Sequence, residues 1–152
     1  QRPALVEMFV RGYALKLRPA CLIERYRHQE QDVGRLRQTL VGRLARQGVR
    51  YALTGGTAAE ILTGYLRPDL VTLFVEDAGL AALKEERMLP DPVHGQVILL
   101  KQFWPAVAAP GKADDRNLAT LLLVYAELLH DGRPRELETA RVLYDRVMAA
   151  HG

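Results

Sequence analysis

Tyr51-Ala52-Leu53-Thr54-Gly55-Gly56-Thr57-Ala58-Ala59, followed at a short distance by Leu70-Val71-Thr72-Leu73-Phe74-Val75, is the stretch that decides the fold of this chain. The first apolar residues, Arg50 to Leu53, predict a short strand that ends at two glycines. Gly55-Gly56 lets the backbone turn sharply, and Thr57 to Thr63 predicts the helix that follows. The second apolar run, Val71 to Val75, is β-branched and aromatic and too short for a helix, so it predicts a strand covered on both faces. The alternation continues with a helix over Ala78 to Arg87. A third strand, Val97 to Lys101, comes after the turn signals Pro90-Asp91-Pro92 and His94-Gly95. Residues 51–101 therefore predict an α/β layer built on a small mixed sheet.

Outward from that layer, the N-terminal side predicts mainly helix. Asp32 to Gln47 carries Val33, Leu36, Leu40, Val41 and Leu44 on one face, with Asp32 as N-cap and Gly48 past the end. A short helix is expected over Cys21 to Glu30, and an edge strand over Leu5 to Val10. Residues 102–117, with Pro105, Pro110 and Gly111, predict a loop. Over 118–150 a helical hairpin is expected. Leu118, Leu121, Leu122, Tyr125, Leu128 and Leu129 form its first stripe, and Asp131-Gly132 marks the break. Pro134 opens the second helix, with Leu137, Ala140, Tyr144, Val147 and Met148 as its stripe. At 152 residues the whole chain, 1–152, is expected to form one domain.

Composition narrows the function. Cys21 is the only cysteine, which excludes an internal disulfide and a multi-cysteine metal site and fits a cytoplasmic protein. No apolar run approaches the roughly 20 residues of a membrane span, so no membrane partner is expected. The net charge of +3 hides a split: residues 1–50 carry eleven Lys or Arg against four acids, and the remainder ten against fourteen. Arg35, Arg43, Arg46 and Arg50 fall within about 80° of helical arc and form a candidate surface for nucleic acid. A solvated helix face is the competing reading of the same arginines.

The Gly55-Gly56-Thr57 turn is a candidate phosphate or ligand site, because glycines admit close approach and a helix N-terminus favours an anion. The alternative is purely structural, with Thr57 capping the helix. The strand, Gly-Gly-Thr turn, helix and strand together resemble the opening of the nucleotidyltransferase superfamily, in which an Asp-x-Asp pair on the second strand holds magnesium. With Leu73-Phe74 aligned on the residues that follow that pair, Leu70 and Thr72 take the places of the aspartates. Neither supplies a carboxylate ligand. An active nucleotidyltransferase would have to use Asp69 with Glu76 or Asp77 instead. Asp114-Asp115 reads as helix-dipole complementarity, and the four histidines, His28, His94, His130 and His151, show no ligand spacing. No catalytic residue, metal or cofactor is expected.

Further short stretches carry a second resemblance. They are Gly12-Tyr13-Ala14 with Leu17-Arg18-Pro19, Tyr51 to Gly56 with Ala58-Ala59, Leu66-Arg67-Pro68 before Val71 to Val75, Gly95-Gln96-Val97 with Leu99-Leu100, and Leu122 to Leu129 with Arg135 and Glu138-Thr139-Ala140. In that order they resemble the C-terminal region of AbiEi-family antitoxins of type IV toxin–antitoxin systems. The resemblance implies a non-catalytic effector domain, normally attached to a DNA-binding winged helix that represses the operon. It also implies functional pairing with a nucleotidyltransferase toxin without a stable complex. The residues before Gly12 are too few for a winged helix.

Overall fold

The computed structural model describes residues 2–104 and 116–150. Its elements in chain order are α1 (Arg2–Gly12), a π-helical turn (Tyr13–Leu17), α2 (Arg18–Cys21), β1 (Leu22–Arg27), α3 (Val33–Arg46) and β2 (Tyr51–Leu53). There follow α4 (Gly55–Thr63), β3 (Val71–Val75), α5 (Asp77–Leu83) with a 3-10 turn (Lys84–Glu86), β4 (Leu89–Pro90), β5 (Val97–Lys101), α6 (Leu121–Asp131) and α7 (Pro134–Ala150). The five strands form one mixed sheet in the order β2-β3-β5-β1-β4, with β3 and β5 parallel and the other pairs antiparallel.

Every residue of β3 is buried, as its apolar run predicts. The cause lies in the period of two along a strand. Thr72 faces Gly55 of α4 and Glu127 of α6, whereas Val75, of opposite parity, lies against Gly79 of α5. Helices thus cover both faces of β3. The helix after the glycines starts at Gly55, two residues earlier than expected, because Gly55 itself takes a left-handed backbone with φ of 57° and turns the chain within one residue. Asp32 does cap α3, its Oδ1 accepting the Arg35 N–H at 3.0 Å, and Gly48 beyond its end has φ of 66°. The C-terminal hairpin forms as α6 and α7, with Gly132 left-handed between them at φ of 71°.

Two N-terminal expectations are overturned. Leu5 to Val10 is helix, not an edge strand. Val6 and Tyr13 are buried and Phe9, Val10 and Leu17 pack on the core, so the apolar residues recur at helical spacing and carry the segment against α6. Residues 22–27, expected to be helical, form β1 between β5 and β4. β4 on its outer side is only two residues long. Charged side chains are therefore accommodated, and Arg25 donates through Nε to the Gly95 carbonyl at 2.7 Å. The helical stripes also shift. Leu118 forms a bridge to Leu53 rather than helix, and in α7 Leu143 is fully buried where Tyr144 remains 39% exposed.

Residues 105–115, most of the expected loop and including Asp114-Asp115, lie outside the described residues, as does His151. Among the described residues no helix is long and apolar enough to cross a membrane.

Candidate functional site: a closed recess at the glycine turn

The Gly55-Gly56 turn, Leu70 and Thr72 meet in one recess, and α6 and α7 close it. Pro68, Asp69, Glu127, Asp131, Arg133 and Glu136 complete the lining. The remaining space is about 10 Å³, at the lower limit for a single water and far below the several hundred Å³ of a nucleotide-sized cleft.

Each turn residue has a definite structural task. A Cβ on Gly55 would lie 3.0 Å from the Glu127 side chain, and one on Gly56 would lie 3.1 Å from Leu66 and 3.2 Å from Pro68. Thr57 does not cap the helix. Its hydroxyl donates to the Leu70 carbonyl at 3.2 Å and accepts the Thr72 N–H at 2.9 Å, tying α4 to the start of β3. The N-cap position belongs to Thr54, whose buried hydroxyl has no partner among the described residues.

Beneath the recess lies a buried cluster that sequence reasoning missed. Glu127, on α6, accepts the Tyr13 hydroxyl at 2.6 Å on Oε1. It also accepts Arg18 in a fork, Nε to Oε1 and Nη2 to Oε2, both at 3.0 Å. The Arg18 and Glu127 side chains are 10% and 5% exposed. Residues five apart would point to different sides of a regular α-helix, about 140° apart at 100° per residue. The π-helical turn, with its i→i+5 hydrogen bonds, brings Tyr13 and Arg18 round to the same acceptor. Burial, reinforced by the charge of Glu127, pushes the Tyr13 hydroxyl far above its ordinary pKa. Burial pulls Arg18 the other way, but the hydrogen bonds and charge of Glu127, with a further contribution from Tyr13, together outweigh it and leave the guanidinium raised. One signal was available: Glu127 is the only charged residue between Leu121 and Leu129.

At the mouth of the recess Arg133 binds three acids. Nε and Nη2 hold Asp131 at 2.8 and 3.0 Å, Nη1 holds Asp69 at 2.8 Å, and Nη2 reaches Glu136 at 3.3 Å. The bond from Arg133 holds the Asp69 carboxyl below its usual range, while burial and then the charge of Asp131 raise Glu136.

The alternative carboxylates do not converge. Asp69 precedes β3 and Glu76-Asp77 follow it, roughly 20 Å apart at about 3.3 Å per residue. Glu76 accepts the Arg50 backbone N–H at 3.0 Å, and Asp77 lies 3.8 Å from Lys101. Among the described residues no group of three His, Cys, Asp or Glu has a metal-holding arrangement.

The arginine stripe is divided by the fold. Arg43 is held by Glu86 and Glu85, at 2.5 and 2.8 Å. Arg35 and Arg46 are exposed, and Arg50 is half-buried. Sequence periodicity places these four on one arc but cannot show that the turn after α5 supplies two acids to Arg43 at the arc's edge.

No curated protein and no solved structure matches the chain. Residues 1–149 match the family described as "Transcriptional regulator, AbiEi antitoxin, Type IV TA system". That match spans nearly all of the sequence, both strands of the glycine turn and all but the last residue of the helical hairpin, and so the chain belongs to the AbiEi antitoxin family of transcriptional regulators, a regulatory and not a catalytic family.

Proposed function

We propose that this domain is the effector part of an antitoxin that opposes a nucleotidyltransferase toxin, and that its own nucleotidyltransferase-like cleft is a degenerate one kept for its shape. Family membership supports the regulatory role. The observation that carries the finer reading is the recess itself: Leu70, just before β3, and Thr72, on it, stand where metal-binding carboxylates would, and the recess between the glycine turn and the hairpin holds only about 10 Å³. Two-metal phosphoryl transfer needs oxygen ligands on a rigid strand and room for a triphosphate, and this recess supplies neither. The pairing with the toxin is functional, without a stable complex, and the winged helix that normally accompanies such a domain carries operator recognition.

The experiment has two arms. Calorimetry with magnesium and a nucleoside triphosphate should give no joint binding, and labelled nucleotide should not be transferred to RNA or protein. In cells, co-expression with the toxin of the neighbouring gene should restore growth. Micromolar magnesium–nucleotide binding refutes the degenerate-cleft reading, and failure to restore growth by stably folded protein refutes the antitoxin role.

A further inference from the structure

The acids around Arg133 come from separate parts of the fold: Asp69 from the segment leading into β3, Asp131 from the last residue of α6 and Glu136 from the first turn of α7. Glu136 is 8% exposed at its side chain, so its charge has little water to compensate it. A guanidinium is the side chain whose planar set of donors can serve several carboxylates at once; a lysine ammonium is a single point charge. The backbone on either side of Arg133 is also constrained. Gly132 is left-handed, with φ of 71°, and Pro134 opens α7 with its φ fixed by the ring. This two-residue bend aims Arg133 at the recess.

We propose that Arg133 is a clasp: a tethered guanidinium seated among Asp69, Asp131 and Glu136 that holds the helical hairpin shut over the Gly55-Gly56 turn. The clasp rests on the reading of the recess as a closed, non-catalytic site, and supplies its cause. Asp69 is fixed by the chain entering the sheet, whereas Asp131 and Glu136 belong to the hairpin, so one cation joins the two bodies that line the recess. Emptied of its own side chain, the seat takes a free guanidinium compound.

The test is thermal unfolding of the intact protein carrying Arg133→Ala or Arg133→Lys, with tens of millimolar methylguanidinium chloride and with sodium chloride at equal ionic strength. Arg133→Ala should melt roughly 4–8 °C lower than wild type, the shift expected for loss of charge-assisted bonds at a half-exposed site. Methylguanidinium should recover part of that loss in Arg133→Ala and give wild type no gain, sodium chloride should not substitute for it, and Arg133→Lys should melt below wild type. Should Arg133→Ala not fold, Asp69→Asn, which alters an exposed wall of the seat, serves through amide exchange. Protection at Gly55, Gly56 and residues 131–136 should fall about tenfold while α3 is unchanged. A wild-type melting point for Arg133→Ala, no recovery with methylguanidinium, or unchanged exchange in Asp69→Asn overturns the clasp alone. Nucleotide transfer by the wild-type protein overturns the closed-site reading and the clasp with it.

Discussion

Replacing Arg18 by Met keeps most of the aliphatic stem and deletes the guanidinium, leaving Glu127 at 5% side-chain exposure with the Tyr13 hydroxyl as its one side-chain partner among the described residues. A buried carboxylate that loses its cation destabilises a protein by about 3–5 kcal/mol. For a chain of this length each kcal/mol lowers the melting temperature by roughly 2–4 °C, so Arg18→Met should melt about 6–20 °C below wild type. The cost should be almost entirely that of the orphaned charge. Converting the whole cluster, Tyr13→Phe with Arg18→Met and Glu127→Met, removes the charge and the hydroxyl that pointed at it, and should return to within about 2 kcal/mol of wild type. The assay is urea unfolding at pH 7 followed by far-UV circular dichroism, with the single, double and triple variants completing the cycle. Contacting residues of this kind should show interaction energies well beyond the roughly 0.5 kcal/mol scatter of independent sites. The reasoning is refuted if Arg18→Met costs less than about 1 kcal/mol, or if the triple variant is as unstable as the sum of its single changes.

Gly55→Ala and Gly56→Val test the turn by different routes. Alanine at Gly55 must adopt φ near 57° and meet the Glu127 side chain, and valine at Gly56 meets Leu66 and Pro68, so each should cost about 1–3 kcal/mol. Neutralisation in cells should decline with the folded fraction; an unchanged melting curve with lost neutralisation would make the turn a ligand site. Tyr13, with its folded pKa raised above the unfolded value, contributes stability that is complete below about pH 10 and is lost as pH rises beyond it, because the unfolded chain ionises first. Tyr13→Phe should therefore flatten the fall in stability between about pH 10 and 11.5, and an unchanged slope would count against it. Arg35→Glu with Arg46→Glu should abolish any low-salt affinity for random duplex DNA. The wild-type logarithmic salt slope should be on the order of −3, since Arg43 is already committed to Glu85 and Glu86. Unaltered binding in the double variant would reduce the stripe to a solvated face.

The sequence by itself determined those elements whose signal is local. The apolar run Val71 to Val75, the glycine turn, the Asp32 cap and the hairpin break at Gly132 each follow from side-chain period and backbone freedom over a few residues, and they sit where the spacing puts them. The absence of carboxylates at Leu70 and Thr72 was equally legible, because it needs only the identity of two residues. Tertiary structure decided the rest. Residues 22–27 are a strand because β5 and β4 offer hydrogen bonds on both sides, which outweighs a charged sequence that would suit a solvated helix. Tyr13, Arg18 and Glu127 form a cluster only through a π-helical turn and a chain separation of more than a hundred residues. Likewise Arg133 meets Asp69, and Arg43 leaves the basic stripe for Glu85 and Glu86, because distant acids are brought to them. A hydrophobic period records which face of an element is buried, but it carries no record of which distant charge is buried against it; that pairing exists only once the chain has closed on itself and desolvation has made an unpaired charge costly.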